Sequence, residues 1–124
     1  MNEKQIKEAI RKGHEIGSHG YIHLNLKKLN LKKKKEVIIK PLNHFKKKFR
    51  YTLRTFSYPF GQYDDQSLKI VKENYKYAVT TKRSRYNQTF LDNSIPRVPI
   101  NSTTNLFKFF LKINTIYEDI KYKN

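Results

Sequence analysis

Apolar positions along the chain follow a helical spacing in some segments and a strand-like spacing in others. The helical segments predict helices at residues 3–12, from Asn30 to about Phe49, from Asp64 or Asp65 to about Asn74, and from Ser102 through Ile113. The strand-like segments predict β-strands at His14–Ser18, Arg54–Tyr58, Tyr77–Thr81 and Pro96–Ile100. Because strands and helices alternate, the pattern predicts an α/β fold with parallel strands.

The second predicted helix contains two unfavourable features. Pro41 lies inside it, and an interior proline costs about 3 kcal/mol, so we expect a kink or a split there. Four lysines at positions 32–35 crowd its first turn, where the helix dipole disfavours positive charge. We therefore expect that end of the helix to be frayed.

Composition narrows the class of protein. The 124 residues are 37% hydrophobic and 14% aromatic, which favours a folded chain over a disordered one. The sequence has no run of 18 apolar residues, so it predicts no membrane span. Its start is charged rather than apolar, so it predicts no signal peptide in this chain. The absence of cysteine excludes disulfides and thiolate metal sites, so the localisation stays open.

The net charge of +17 raises the question of nucleic-acid binding. Of the 27 basic residues 21 are lysine, whereas bidentate recognition of bases and phosphates favours arginine. Abundant Lys, Ile, Asn, Tyr and Phe are also typical of an AT-rich genome. We therefore favour solvated lysine faces over a nucleic-acid site, while attraction to acidic glycans or lipid headgroups stays open.

Three of the four histidines fall between positions 14 and 23. His14-Glu15 does not begin a zincin motif, because the next histidine, His19, is one residue too far along. His19 and His23, four apart in a predicted loop, are candidate ligands of a divalent metal, and the alternative is that both are ordinary surface residues. Two histidines leave a site incomplete, since a catalytic zinc usually has three protein ligands and a water.

A second string, Ser57-Tyr58-Pro59-Phe60-Gly61, ends the predicted strand Arg54–Tyr58. The carboxyl ends of parallel strands are where α/β folds bind ligands, so rings and backbone amides here could line a groove. The alternative is a plain turn with aromatics in the core, and the string alone does not decide between the two.

Taken together, residues 13–26 and 56–64 closely resemble the polysaccharide deacetylases, the NodB homology domain of carbohydrate esterase family four. The resemblance continues through Tyr77–Thr81 and Pro96–Ile100 and so covers most of residues 3–113. It implies a distorted (β/α) barrel that removes acetyl groups from N-acetylated polysaccharides or oligosaccharides. By this resemblance residues 1–113 are the C-terminal portion of such a domain, and 114–124 are a polar tail.

The resemblance also implies roles for particular residues. His19 and His23 match the family's two metal-binding histidines, with Zn²⁺ as the expected ion and Co²⁺ or Ni²⁺ as alternatives. The turn of Tyr58, Pro59 and Phe60 matches the substrate-binding groove wall, where the backbone N–H of Phe60 would help to hold the oxyanion. Arg97 lies where some relatives carry a residue that orients the catalytic base, and an ordinary strand-end arginine is the alternative.

The sequence departs from the family at the carboxylates. The family opens with a strand bearing Thr-Phe-Asp-Asp, which supplies the catalytic base and the third metal ligand, and no such pair precedes His19. Asp64-Asp65 follows the groove turn as a predicted helix cap and cannot replace it. We therefore expect an N-terminally truncated barrel that lacks its first strands, impaired in catalysis, with a separately encoded N-terminal segment as a candidate partner.

Smaller departures point the same way. Gly20 stands where the family usually has Ser or Thr, Ser57 stands where an arginine is common, and the late Leu-x-His motif is absent. His44 lies in the lysine-rich helix and is interpreted as a bystander. The alternative function is a non-catalytic remnant whose basic surface binds anionic polymers such as nucleic acid or acidic glycan. The family is often extracytoplasmic, but this chain does not reveal its compartment.

Overall fold

The computed structural model describes residues 1–84 and 91–121. Its helices are α1 (Glu3–Arg11), α2 (Leu31–Phe49), α3 (Asp65–Asn74), α4 (Leu106–Asn114) and α5 (Tyr117–Lys121), and its strands are β1 (Thr55–Ser57) and β2 (Tyr77–Val79). Two short 3-10 turns occur at Leu26–Lys28 and Pro59–Gly61. Residues 85–90, between the predicted strands Tyr77–Thr81 and Pro96–Ile100, and residues 122–124 of the predicted polar tail lie outside the described part of the chain.

The two strands are parallel neighbours, as the sequence predicts. Thr55 of β1 lies opposite Tyr77 of β2, and Ser57 lies opposite Val79. Ser18 makes a single parallel bridge to Phe56 on the other side of β1, and Ile95 bridges to Val79 beyond β2. The α/β arrangement with parallel strands is therefore confirmed within the described residues.

The predicted strands His14–Ser18 and Pro96–Ile100 are wrong, since the first is reduced to one bridge at Ser18 and the second contains neither a strand nor a bridge. Ahead of Ser18, the N–H of Ile16 donates to the hydroxyl of Tyr51 at 3.1 Å instead of joining a ladder. In the later segment the bridge falls at Ile95, and the prolines that follow at 96 and 99 have no N–H to donate.

The core lies on one face of the β1–β2 pair, against α2 and α3. Its buried hydrophobic residues are Leu26, Val37, Ile38, Leu53, Phe56, Tyr58, Ile70, Val71, Tyr75 and Ala78. Side chains alternate between the two faces of a strand, so the neighbours of Phe56 and Ala78 point to the opposite face. There Thr55, Ser57, Tyr77 and Val79 line an open cavity of about 410 Å³.

The start of α2 is anchored, and the expectation of a frayed end is wrong. Asn30 caps the helix by accepting the N–H of Lys33 at 2.9 Å. Lys34 is only 3% exposed, because its ammonium pairs with the carboxylate of Asp64 and donates to Gln66 at 2.9 Å. A tertiary partner thus removes the penalty that the lysine cluster suggests.

Pro41 does not split α2, which runs without a break from Leu31 to Phe49. A proline has no N–H, so it cannot serve the carbonyl four residues before it. That carbonyl, on Val37, instead accepts the N–H of Tyr21 at 2.9 Å. The expectation of a split is wrong because a distant loop satisfies the helix.

The C-terminal region also differs from the prediction. Helix α4 begins at Leu106 rather than near Ser102, and Asn105 caps it by accepting the N–H of Lys108 at 2.9 Å. No residue of α4 is buried. Residues 117–121, in the predicted polar tail, form α5, where Glu118 is buried and pairs with Lys112. Across the described ranges, no helix is both long and apolar enough to span a membrane.

Candidate metal and groove site

The histidine loop leaves the sheet edge at Ser18, which two backbone hydrogen bonds fix beside β1. The N–H of Ser18 donates to the carbonyl of Thr55 at 2.8 Å, and the N–H of Ser57 donates to the carbonyl of Ser18 at 2.8 Å. His19 therefore emerges at the carboxyl end of this pairing, next to the end of β1. This is the edge at which α/β folds place their ligands.

His19 is oriented by the backbone of β1. Its Nδ1 lies 2.7 Å from the carbonyl oxygen of Ser57. Because a carbonyl can only accept, Nδ1 carries a proton, so in the neutral ring the lone pair is on Nε2. Metal-binding histidines are commonly held in this way, with one nitrogen donating to a carbonyl and the other facing the ion.

The loop brings His23 against His19. The two ring centroids are 4.9 Å apart with an interplanar angle of 52°. Gly20, between them, has a φ of 86°, and a β carbon there would come within 3.1 Å of Val37 Cγ1, so this close turn requires glycine. Both rings are exposed and thus accessible to an ion.

The fit of a metal to these residues is partial. Two adjacent imidazoles, one with its tautomer fixed, suit two ligand positions of a zinc-type ion. Among the described residues no cluster of three or more His, Cys, Asp or Glu side chains could hold an ion. Residues 85–90 and 122–124 contain none of these residue types. The chain thus offers two nitrogen ligands and no carboxylate beside them.

The Pro59–Gly61 turn presents Phe60 to the histidines. Phe60 adopts a left-handed conformation with φ 58°, which costs a non-glycine residue roughly 1–2 kcal/mol. Gly61 follows with φ 65°, and a β carbon there would lie 2.0 Å from Thr81 Oγ1. The strained turn leaves the Phe60 ring 56% exposed and 4.4 Å from the His23 ring, centroid to centroid.

The other two residues of the predicted groove wall are buried. Tyr58 donates its hydroxyl to the carbonyl of Asn93 at 2.9 Å, and burial raises its pKa well above the usual range. Pro59 is buried beside it. Phe60 is the second residue of the 3-10 turn, a position whose N–H has no acceptor within the turn. Tyr58 and Pro59 thus support the turn, and Phe60 faces outward.

Asp64 is committed to structure rather than to this site. It caps α3 by accepting the N–H of Ser67 at 2.9 Å, and it pairs with the buried Lys34. Burial by itself would raise the pKa of Asp64, but the hydrogen bonds from Lys34 and Ser67 and the charge of Lys34 lower it to about 2. Asp65 lies in the first turn of α3 and is exposed.

Arg97 and His44 lie on parts of the chain other than the loop that carries the histidine pair. Arg97 donates its Nε to the carbonyl of Thr80 at 2.6 Å, just beyond the carboxyl end of β2, and lines a cavity of about 450 Å³. His44 is exposed on α2, with its ring 6.1 Å from that of Phe45 and 6.4 Å from that of Phe49. The structure therefore places Arg97 at the same end of the sheet as the loop and His44 on a helix surface.

Two further residues connect the site and escaped the sequence analysis. Asn25 donates its amide to the side-chain oxygen of Gln62 at 2.6 Å, which joins the histidine loop to the segment after the groove turn. Both residues lie in the two strings of the resemblance, so their position was the available signal. The Tyr21–Val37 hydrogen bond carries no local sequence signal, because its partners are 16 residues apart.

The architecture is that of an α/β protein with its candidate site at the carboxyl ends of parallel strands. The family model described as polysaccharide deacetylase matches residues 1–79, and the chain belongs to this family, the NodB-type deacetylases of carbohydrate esterase family four. The resemblance drawn from residues 13–26 and 56–64 is confirmed.

Similar proteins extend the match beyond residue 79. The poly-β-1,6-N-acetyl-D-glucosamine N-deacetylase of Staphylococcus aureus (strain MRSA252) is 29% identical over 111 residues, covering 82% of this chain and 38% of that protein. The curated relatives are thus much longer than this chain, which spans 38% of the length of this relative and 30% of the length of a Bacillus subtilis relative.

Solved structures show the same fold. The Streptococcus pyogenes deacetylase PplD, in complex with acetate, superposes with a TM-score of 0.86 at 22% identity, over 92% of this chain and 51% of that one. A polysaccharide deacetylase from Bacillus cereus gives 0.80 at 26% identity, over 90% and 36%. The chain therefore corresponds to part of a deacetylase domain.

Proposed function

We propose that residues 1–113 are the C-terminal portion of a distorted (β/α) barrel that removes N-acetyl groups from amino-sugar polysaccharide. One observation carries the proposal: His19, with its tautomer fixed by Ser57, lies against His23, which in turn contacts the exposed ring of Phe60. A candidate metal site therefore adjoins a candidate sugar-binding surface in a chain of the deacetylase family.

His19 and His23 would hold the metal through two imidazole nitrogens, with Zn²⁺ the first choice and Co²⁺ or Ni²⁺ as alternatives. When bound, such an ion polarises the acetyl carbonyl and supplies a water of lowered pKa. The hydrogen bond from His19 Nδ1 to Ser57, at 2.7 Å, supports this assignment because it points the other nitrogen away from the backbone.

The Pro59–Gly61 turn would bind the substrate. The exposed Phe60 ring offers an apolar surface to a sugar face. The backbone N–H of Phe60, which has no acceptor within the turn, would stabilise the developing oxyanion. Tyr58 and Pro59 would act indirectly, by holding the turn in its strained conformation. Arg97 would orient the catalytic base from the end of β2.

The base and the third metal ligand would come from another segment of the domain. The open face lined by Thr55, Ser57, Tyr77 and Val79, together with the single bridge at Ser18, offers a place for further strands to pack. We propose that this segment, encoded with the chain or separately, brings the carboxylates to His19 and His23. The 124 residues alone would then be poor catalysts.

The substrate class follows from the family and from the relatives. A named relative from Staphylococcus aureus acts as a poly-β-1,6-N-acetyl-D-glucosamine N-deacetylase, and it aligns with 82% of this chain. We propose an N-acetylated polysaccharide or oligosaccharide as the substrate, without choosing among its linkages.

Acetate release from N-acetylglucosamine oligomers tests the proposal. The chain alone should stay near background, because a positioned general base contributes about 10²–10⁴-fold. Fusing to it the N-terminal segment of the Staphylococcus aureus relative should restore chelator-sensitive activity. His19→Ala and His23→Ala should abolish that activity, and the matched control His44→Ala should keep it. Robust turnover by the unfused chain, or a fusion insensitive to His19→Ala, would contradict the assignment.

A second function, binding of anionic polymers without catalysis, is favoured by the charge of +17. Such binding depends on counterion release and so weakens steeply with salt. Fluorescence anisotropy with a labelled acidic glycan and a neutral N-acetylated oligomer separates the two functions. Binding of the acidic polymer alone, lost at moderate salt, supports the second function, and salt-insensitive binding of the neutral oligomer opposes it.

A further inference from the structure

A proline in the middle of α2 frees a backbone acceptor that the histidine loop uses. In an unbroken helix the carbonyl of Val37 would accept the N–H of residue 41, and Pro41 has none. The carbonyl instead accepts the N–H of Tyr21 at 2.9 Å. We propose that Pro41 is a positioning residue for the His19/His23 pair, an inference that rests on the proposed metal-binding function.

The hydrogen bond acts at the middle of the loop. Tyr21 lies halfway between His19 and His23, so a restraint on its backbone limits both rings. Beside it, Gly20 approaches α2 so closely that a β carbon would come within 3.1 Å of Val37 Cγ1. The Tyr21 ring also lies under the ammonium of Lys40, 3.9 Å from the ring centroid.

The loop is therefore fixed at two points on two different elements. His19 Nδ1 is bound to the carbonyl of Ser57 on β1, and the N–H of Tyr21 is bound to the carbonyl of Val37 on α2. The two points fix the chain from His19 to Tyr21, and from there it continues to His23, whose ring lies 4.9 Å from that of His19. Without the second point, the loop would still be restrained by the Asn25–Gln62 hydrogen bond and by the contact of His23 with Phe60, and we expect the two histidine rings to separate in part.

The variant Pro41→Ala tests this, because the substitution restores an N–H that competes for the Val37 carbonyl. A carbonyl has two lone pairs, so the bond to Tyr21 should weaken rather than vanish. By NMR on the metal-free chain, amide exchange at Tyr21 should accelerate about tenfold, and contacts between the imidazole protons of His19 and His23 should fade. The affinity for Zn²⁺ should fall severalfold.

The melting temperature separates positioning from a structural role. Alanine favours a helix interior far more than proline does, so Pro41→Ala should keep or raise the melting temperature while the histidine pair loosens. The control Asn43→Ala, exposed on the same helix, should raise the melting temperature slightly at most and should leave the histidine pair unchanged. A Pro41→Ala chain with wild-type exchange at Tyr21 and wild-type contacts between the rings would overturn the proposal.

A second substitution tests the same hydrogen bond from the loop side. Replacing Tyr21 by its α-hydroxy acid removes the N–H and keeps the side chain. It should loosen the histidine pair strongly in the otherwise wild-type chain and only weakly in the Pro41→Ala chain, and an equal effect in both would overturn the proposal. If the wild-type chain binds no Zn²⁺, the proposed function fails, while amide exchange at Tyr21 still decides the role of Pro41.

Discussion

At the scale of single residues, backbone and side-chain partners decide what each polar group does. His19 is oriented by a carbonyl oxygen, whereas Asp64 is held by a buried lysine and a helix N-terminus. The spacing in the sequence predicts that His19 and His23 lie close together. It does not reveal the carbonyl of Ser57, which is 38 positions after His19. The residue types of the candidate site are thus predictable, and their tautomers and pairings depend on the tertiary fold.

The Asp64–Lys34 pair allows a clean test of a buried charge. Asp64→Asn keeps a good helix cap but leaves the Lys34 ammonium, 3% exposed, without its counter-charge. Removing one member of a buried pair typically costs about 3–5 kcal/mol, and we expect about 3 kcal/mol by urea unfolding, since Asp64 is partly exposed. Asp65→Asn, on the exposed neighbour, should change stability by under about 0.5 kcal/mol. Equal effects of the two substitutions would contradict the pairing.

The same pair predicts how stability depends on pH. The folded state lowers the pKa of Asp64 to about 2 from an ordinary 3.8, so its carboxylate stabilises the fold above about pH 4 and loses that effect as the pH falls towards 2. The contribution should be about 1–2 kcal/mol, because solvent partly screens the carboxylate. Urea unfolding at several pH values should show this decline in the wild type. The Asp64→Asn chain should lack that part of it, and an unchanged slope would argue against the lowered pKa.

At the scale of elements, prediction succeeds where a local signal fixes a boundary. Asn30 and Asp64 cap α2 and α3, whose starts the sequence places there, and the segments around 56 and 78 form neighbouring parallel strands. It fails where a distant partner decides the outcome. The N–H of Tyr21 binds the Val37 carbonyl that Pro41 leaves free, and Lys34 pairs with Asp64. A helix predicted to kink or split and to fray at its start is therefore unbroken and capped.

Helix α4 is the element with the most exposed apolar surface among the described residues. Leu106 and Phe107 are 87% and 70% exposed, and no residue of α4 is buried. Bare apolar surface of this kind promotes association. The charge of +17 opposes it at low salt, but screening at about 0.15 M shortens the range of that repulsion to about 8 Å. We therefore expect self-association of the isolated chain to grow with salt.

The double substitution Phe107→Glu with Phe110→Glu should reduce that association without lowering the melting temperature, since both rings are exposed. Sedimentation velocity at about 0.02 M and about 0.15 M salt, which differ in screening length, measures it. The matched control Asn43→Glu with Ser102→Glu adds the same charge at exposed polar positions and should associate like the wild type. If both double variants behave alike, charge rather than apolar surface governs the association.

At the scale of the whole molecule, the chain is part of a larger domain type. The superposition on PplD covers 92% of this chain but only 51% of PplD. The family was predictable because its motif residues lie in two contiguous strings, residues 13–26 and 56–64. The α/β arrangement was predictable because strand-like and helical segments alternate along the chain. The source of the completing carboxylates was not predictable, since no acidic residue of the chain matches the family's Asp pair.

The proposed function depends on His19 and His23 acting together as metal ligands. The most direct measurement is a Zn²⁺ titration of the chain at neutral pH, followed by NMR of the four imidazole rings. We predict weak binding in which His19 and His23 respond together, His14 and His44 do not, and His19→Ala removes most of the response. Tight binding that survives both His19→Ala and His23→Ala, or a response centred on His14 or His44, would contradict it.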